Sequence, residues 1–415
     1  MIHSCHASAR VGLALAGGGP AGSIYEIGAV RALDEALDGL DFNNLPIYVG
    51  VSAGAFITST LANGLTTAQL CRAIVKPEPG EHPFVPENFL SPALGHYARS
   101  GARLPRLLIE MMQDAIRHPT GLSLIESLTR LSRALPVGLF DNEPIRSYLH
   151  TIFSRPGRSD DFRTLRRKLV LVATDLDSGR AVRFGDPPFD HVPISTAVQA
   201  STALPGLYPP VEIDGRHYVD GVLLKTMHAS VALDEGADLV LCVNPIVPVD
   251  TIRSVELGVM KRGRLADRGL PAVLSQTFRT IIHSRIGIGL AAYERKYADR
   301  DVLVFEPGRD DYKMFFSNIF SFARRKAVVE HAYRSTRLKL WRNRHRLGPL
   351  LDRHGIGLRT DVLEDPDADL WVSVGLDQKR RRSRLPVTER LDETLRQIEV
   401  LLGQNTKGAQ GMGPL

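Results

Sequence analysis

The sequence predicts an α/β protein whose central sheet is mainly parallel. Short apolar runs at residues 11–16 and 47–51 are each followed by a helical pattern. In the first pattern, apolar residues recur every three or four positions from Ile24 to Leu40, which is the spacing of one helix face. Strands that alternate with helices in this way pair in parallel through crossover connections.

The same alternation continues along the chain. After the second strand, residues 53–62 have a helical pattern, and Gly64 is suited to ending that helix. Further apolar runs predict strands at 169–174, 237–244 and 302–305. Two long patterns predict helices at 273–290 and 324–346, and the second of these helices is strongly basic. We therefore expect the C-terminal part of the chain to be a mostly helical extension.

The composition is that of a folded protein with a large core. The chain has 415 residues, of which 43% are hydrophobic and 24% are charged. A net charge of +6 allows attraction to an anionic membrane surface or to nucleic acid. No nucleic-acid-binding module is recognisable, so we expect no nucleic-acid partner.

The cysteine content and the hydropathy of the sequence indicate in which cellular compartment the protein is found. The three cysteines, Cys5, Cys71 and Cys242, are too few for a disulfide framework and favour a reducing compartment. The short apolar stretch that ends in the first glycines predicts a buried strand and not a signal peptide. No run approaches the ~18 apolar residues of a membrane-spanning helix. We expect a cytoplasmic protein, with peripheral membrane contact as an open alternative; the oligomeric state stays open.

The first sequence motif is a G-x-S-x-G pentapeptide formed by residues 50–54. It contains Gly50, Ser52 and Gly54 and lies between an apolar strand and a helix. A sharp turn in that context presents the serine hydroxyl at the end of the sheet, beside a helix N-terminus that favours developing negative charge. Flanking glycines relieve the crowding. The pattern predicts that Ser52 is a nucleophile.

The second motif is a glycine run that includes Gly17, Gly18, Gly19 and Gly22. Without Cβ atoms, backbone N–H groups can point into one concavity, as an oxyanion hole requires. The same residues satisfy G-x-G-x-x-G, the fingerprint of dinucleotide binding. That fingerprint requires an acidic residue at the end of the second strand, where Ser52 stands instead.

The third motif is Asp220 followed by Gly221. By itself this pair is usually only a turn. A serine nucleophile needs a base, however, and no histidine has a comparable motif around it. His228 is the alternative base, since it follows Asp220 in the chain order Ser, Asp, His. We interpret His217 and His228 as ordinary structural or surface residues, and the group His3, Cys5 and His6 as no metal site.

These three motifs, in this order, resemble the patatin-like phospholipase family. Supporting stretches at residues 173–179 and 199–211 are also similar to it, and the resemblance covers about residues 10–245. It implies a three-layer α/β/α fold. Ser52 would attack an acyl ester, Asp220 would accept its proton, and Gly17, Gly18 and Gly19 would form the oxyanion hole. Substrates would be phospholipids, lysophospholipids or related lipids, and neither a metal nor another cofactor would be needed.

Two positions depart from the family pattern. Ala21 stands where a basic residue is common, and Val222 stands where a second glycine or an alanine usually follows the aspartate. Both leave the nucleophile, the base and the backbone donors in place. They keep open a second function, that of a catalytically weak lipid-surface binding or regulatory protein. A nucleotide-dependent oxidoreductase is the third candidate.

The resemblance also suggests a division of the chain. We expect a catalytic domain at residues 10–245 with a helical, lid-like insertion at 77–140, a basic, mainly helical region at 246–403, and a disordered tail at 404–415. An amphipathic pattern at 104–116 and the basic C-terminal stretches, including the cluster at 379–384, are the predicted sites of membrane contact.

Overall fold

The computed structural model describes residues 9–75, 91–93, 137–256, 258, 264–309, 311, 322–365 and 368–376. The predicted amphipathic helix at 104–116, the basic cluster at 379–384 and the tail lie outside these residues. The chain divides into two compact units, Met1–Pro366 and Asp367–Leu415. In the second unit, a short helix begins where the Asp369 side chain accepts the backbone N–H of Trp371.

The first unit is built on one eight-stranded sheet. Its strands are β1 (Val11–Leu15), β3 (Ile47–Val51), β6 (Lys168–Asp175), β7 (Ala181–Phe184), β8 (Val211–Ile213), β9 (Arg216–Asp220), β10 (Leu239–Val243) and β11 (Asp301–Phe305). The order is β11-β10-β1-β3-β6-β9-β8, with β7 also paired to β6. Two-residue strands form two small ladders: β2 (Leu37–Asp38) with β12 (Gly357–Leu358), and β4 (Ser91–Pro92) with β5 (Phe140–Asp141).

Five strands of the sheet, from β11 to β6, pair in parallel, whereas β7, β8 and β9 pair antiparallel. The described helices are α1 (Gly19–Ala36), α2 (Ala53–Ala62), α3 (Thr67–Val75), α4 (Glu143–Phe153), α5 (Ile194–Ser201), α6 (Ala229–Asp234), α7 (Thr251–Glu256), α8 (Leu270–Lys296), α9 (Phe322–Arg342), α10 (Arg344–Arg353), α11 (Thr360–Glu364) and α12 (Leu370–Ser373). The predicted α/β class with a mainly parallel sheet is confirmed.

The helical pattern predicted from Ile24 to Leu40 is wrong at its end. Helix α1 stops at Ala36, and Leu37 has an extended backbone. Leu37 and Asp38 pair instead with Gly357 and Leu358, more than 300 residues later in the chain. Local spacing carries no information about so distant a partner, and this strand pairing replaces the last helical turn.

Residues beyond 245 take part in the same sheet as the residues before it. Strand β11 pairs with β10 over its whole length. Helix α9 packs along α1, where Gly28 faces the backbone of Val329 and Tyr333. The predicted boundary at residue 245 stays a prediction. Within the described residues, no helix is both long and apolar enough to cross a membrane.

Candidate active site

Ser52 stands at the turn between β3 and α2. Its backbone has φ 52° and ψ −118°, a region that residues with a side chain rarely occupy. Ser52 is the residue that precedes the first turn of α2, so its side chain lies at the positive end of the helix dipole. This geometry is the strained strand-to-helix elbow that the sequence predicted.

The two glycines of the pentapeptide are required by close packing. A Cβ on Gly54 would lie 2.3 Å from the carbonyl oxygen of Leu15, and one on Gly50 would lie 2.2 Å from the Thr58 hydroxyl. The Gly54 N–H donates to the carbonyl of Ala16 at 3.0 Å. The turn is therefore held directly against the end of β1.

A second serine fixes the backbone of the first. The Ser52 N–H donates to the Ser201 hydroxyl at 2.8 Å, and that hydroxyl donates to the carbonyl of Val172 at 2.6 Å. All three groups are buried. Ser201 ends helix α5, so a helix on one side of the sheet holds the strained turn in place. The sequence stretch 199–211 includes Ser201, but no local pattern indicates this bond to a residue 149 positions away.

Asp220 is the last residue of β9 and is 2% exposed. Its backbone N–H donates to Ala203 at 3.0 Å, and its carbonyl accepts from the Thr174 hydroxyl at 3.1 Å. The side chain accepts the N–H of Val222 at 2.9 Å and lies close enough to the side chain of Ser52 to interact with it. The structure therefore brings together the two side chains that the sequence paired.

Burial gives the Asp220 carboxyl group an unusual acidity. Loss of solvent raises its pKa from 3.8 to about 7, against the opposing effect of the nearby Ser52 side chain and of the hydrogen bond from Val222. A carboxyl group with a pKa near 7 accepts protons far better at neutral pH than an ordinary aspartate does. Perturbation of this kind is typical of functional sites.

The glycine run connects β1 to α1 beside this pair. A Cβ on Gly17 would lie 3.3 Å from the Cβ of Ser52 and 3.1 Å from Val222. One on Gly18 would lie 2.7 Å from the Cα of Gly22, whose N–H donates to the Gly18 carbonyl at 3.0 Å. Gly19 has φ +60°, and a Cβ there would have open space around it.

The N–H groups of these glycines are not equivalent. That of Gly17 donates to the carbonyl of Thr226 at 3.3 Å. Those of Gly18 and Gly19 have no hydrogen-bond acceptor in the part of the chain that the structure describes, and they precede or begin the first turn of α1, where no intrahelical acceptor exists. Two donors therefore stay free next to Gly17, which itself packs on Ser52.

Neither His228, the alternative base, nor His217 has a hydrogen bond to the Ser52 hydroxyl among the described residues. His228 is buried, and desolvation with the nearby charge of Lys225 lowers its pKa to about 3. Its Nε2 atom has no hydrogen-bond partner in the part of the chain that the structure describes. His217 is exposed on β9. Among the described residues, no group of three or more His, Cys, Asp or Glu side chains could hold a metal ion.

The geometry can be compared with known proteins. A sequence model of patatin-like phospholipases matches residues 13–233, which is more than half of the chain and includes Ser52 and Asp220. The chain belongs to the patatin-like phospholipase family. One departure from the family pattern has a structural role here, because the Val222 side chain fills the space next to Gly17.

Similar curated proteins include uncharacterized NTE family proteins of Mycobacterium tuberculosis and Mycobacterium bovis. Each is 38% identical over 73 residues, which cover 18% of this chain and 19% of the relative. The matched stretch therefore spans about a fifth of the length of these relatives.

Two solved structures are also similar. VipD from Legionella pneumophila is 16% identical, with a TM-score of 0.32 and coverage of 61% of this chain and 53% of VipD. The type III effector protein ExoU is 13% identical, with a TM-score of 0.32 and coverage of 79% of this chain and 52% of ExoU.

Proposed function

We propose that this patatin-like protein hydrolyses carboxylic acyl esters of lipids, with Ser52 as the nucleophile and Asp220 as its base. The observation that carries the proposal is the strained strand-to-helix turn at Ser52, with the buried Asp220 carboxyl group close enough to interact with the Ser52 side chain. Family membership supports the class of reaction, and the raised pKa of Asp220 supports its role. The substrate class is that of the family, namely phospholipids, lysophospholipids or related acyl lipids.

The proposed reaction has two halves. Ionised Asp220 accepts the proton of the Ser52 hydroxyl while Oγ attacks the acyl carbonyl carbon and forms a tetrahedral oxyanion. Collapse of this intermediate breaks the ester bond, and protonated Asp220 donates its proton to the leaving alkoxide. Water then attacks the acyl-enzyme and loses a proton to Asp220, and Ser52 is released with its proton restored.

We propose Gly18 and Gly19 as the donors of the oxyanion hole. Their free N–H groups lie in the loop that packs on Ser52, and the N-terminus of α2 adds positive potential at the same point. The resemblance to the family implies Gly17 as a third donor. Because the Gly17 N–H already donates to Thr226, we assign Gly17 the role of packing against Ser52 and Val222.

Hydrolysis of p-nitrophenyl esters of increasing chain length tests the proposal. We expect Ser52→Ala and Asp220→Asn each to lower kcat/KM by at least about 10³-fold, since nucleophile and base act as a unit. Ser59→Ala is the matched control, because its hydroxyl is buried on the same helix and donates only to Phe56 within that helix. The proposal fails if Ser52→Ala keeps the wild-type rate.

A lipid-surface binding or regulatory protein remains the second candidate. The observation that favours it is Val222, whose side chain occupies the space beside Gly17 and Ser52. An inert wild type, together with retained binding to lipid vesicles, would support this candidate. If Val222→Gly then hydrolysed esters, the Val222 side chain would be identified as the cause of the missing activity.

A further inference from the structure

Helix α8 (Leu270–Lys296) presents large apolar side chains to solvent. Those that are between 41% and 71% exposed are Leu270, Val273, Leu274, Phe278, Ile281 and Ile288. Single exposed apolar residues are common on protein surfaces, but a contiguous set on one helix marks an interaction site. These six residues are the α8 apolar face.

The six side chains share one side of the helix. At 100° per residue they fall within an arc of about 140°, which is the width of an amphipathic stripe. The side that packs on the protein is centred about 130° from the middle of this arc, because Ile282, Ile286 and Tyr293 pack on the hydrophobic core cluster. The α8 apolar face is thus a second stripe, additional to the one that folding requires.

Helix α7 extends this surface. Its residues Ile252 and Val255 are 72% and 37% exposed. The segment that leads into α7 is tied to α8 by Gln276, whose side chain accepts the N–H of Val249 at 3.1 Å and donates to the Val249 carbonyl at 2.8 Å. Ile252 and Val255 therefore come only a few residues after Val249, which is held on α8 by these two hydrogen bonds.

The charge of this region indicates what it binds. Residues 251–296 contain nine basic and three acidic side chains, a net charge of +6 that equals the net charge of the whole chain. Helix α8 itself has a single acidic residue, Glu294, near its end. An exposed apolar stripe in a segment with an excess of positive charge matches the interface of an anionic lipid bilayer. A second copy of the same surface would bring like charges together.

The surface lies next to the proposed active site. Arg285 of α8 donates to the carbonyl of Leu223 at 3.0 Å. Leu223 ends the short helical turn Gly221–Leu223 that follows Asp220, and Ile282 packs on the same core cluster as Val222. A bilayer in contact with α8 would therefore lie close to the turn that carries the proposed base.

We propose that the α8 apolar face, extended by Ile252 and Val255, is the surface with which this protein docks on an anionic phospholipid membrane. The inference deepens the proposed function, since it names the surface where the enzyme meets its lipid substrate. Docking itself requires no turnover, so it can be measured in a variant that lacks the nucleophile.

Vesicle flotation of the full chain in a Ser52→Ala background tests the docking. We expect binding to phosphatidylcholine vesicles that contain phosphatidylserine, little binding to pure phosphatidylcholine, and release at high salt. The triple variant Leu274→Ser, Phe278→Ser, Ile281→Ser should bind at least ten-fold more weakly. Leu338→Ser, at a 45% exposed position of α9, is the matched control and should bind as its parent does.

A second readout separates docking from folding and from catalysis. With Ser52 present, the triple variant should hydrolyse a monomeric ester as the wild type does and lose activity only on vesicles. If the wild type hydrolyses nothing, the proposed function fails while the binding experiment still decides the docking. Unchanged vesicle binding by the triple variant overturns the proposal. The proposal is also overturned if the parent protein binds no vesicles but forms a dimer that the triple substitution abolishes.

Discussion

Asp220 shows how the surroundings of one residue decide its chemistry. A solvated aspartate with a pKa near 3.9 is too weak a base to accept a serine proton at neutral pH. Burial at the end of β9 raises the pKa of Asp220 to about 7, and the nearby side chain of Ser52 opposes this rise. In the proposed dyad, Asp220 would therefore act on Ser52 without a histidine between them.

The raised pKa has a cost in stability that can be measured. In the unfolded chain Asp220 ionises near pH 4, whereas in the folded chain it stays protonated until about pH 7. Its contribution to stability is therefore complete below pH 4 and is lost as the pH rises towards and through 7. An asparagine at position 220 does not ionise, so it does not lose stability in this way as the pH rises.

We expect the stability of Asp220→Asn relative to wild type to increase between pH 4 and pH 8, by up to about 4 kcal/mol. Urea unfolding at a series of pH values measures this difference. Asp177→Asn, at an exposed turn, serves as the control. A difference for Asp220→Asn that does not change with pH would show that the carboxyl group is not held in its neutral form.

At this scale the sequence indicates which residues are the candidates for catalysis but not their environment. Ser52 and Asp220 stand out because glycines surround them in recognisable patterns. The bond from Ser52 to Ser201 and the burial of Asp220 depend on residues more than a hundred positions away in the chain. No local pattern encodes such contacts.

At the scale of elements, the turn at Ser52 is held in place by strand β3, helix α2 and the close contact of Gly54 with the end of β1. Helix α2 has the bounds 53–62 that its local pattern predicts, because its start is fixed by the turn and its end by Asn63 and Gly64. Gly54 lets the first turn of α2 approach the end of β1, where any Cβ would meet the Leu15 carbonyl.

We expect Gly54→Ala to lower the free energy of unfolding by about 1–3 kcal/mol, because the turn must move away from Leu15. Hydrolysis should fall with it, since the same movement displaces Ser52. Gly287→Ala in α8 is the control: it has open space for a Cβ and should raise stability by up to about 1 kcal/mol. Thermal unfolding of both variants measures the contrast, and equal midpoints would refute the packing argument.

At the scale of the whole molecule, residues far beyond the catalytic motifs complete the first unit. Strand β11 extends the sheet past β10, and α9 covers α1. Glu35 of α1 forms an ion pair with Arg31 at 2.6 Å and accepts the Tyr333 hydroxyl of α9. The sequence predicts these elements individually, but periodicity alone cannot order strands in a sheet or pair helices, so the order β11-β10-β1-β3 is known only from the structure.

We expect Gly28→Ala to destabilise the first unit by about 1–3 kcal/mol, because its Cβ would lie 2.4 Å from the carbonyl of Val329. Gly348→Ala, which has open space on α10, should not destabilise it. Urea unfolding of the two variants measures the effect. A wild-type midpoint for Gly28→Ala would contradict the close packing of α9 on α1.

Covalent labelling can establish whether Ser52 is a nucleophile that Asp220 activates. An alkyl fluorophosphonate should modify Ser52, as located by peptide mass spectrometry, at a rate that rises with pH and is half-maximal near pH 7. Asp220→Asn should label far more slowly and without this pH dependence. Labelling of another serine, or equal rates in wild type and Asp220→Asn, would contradict the claim.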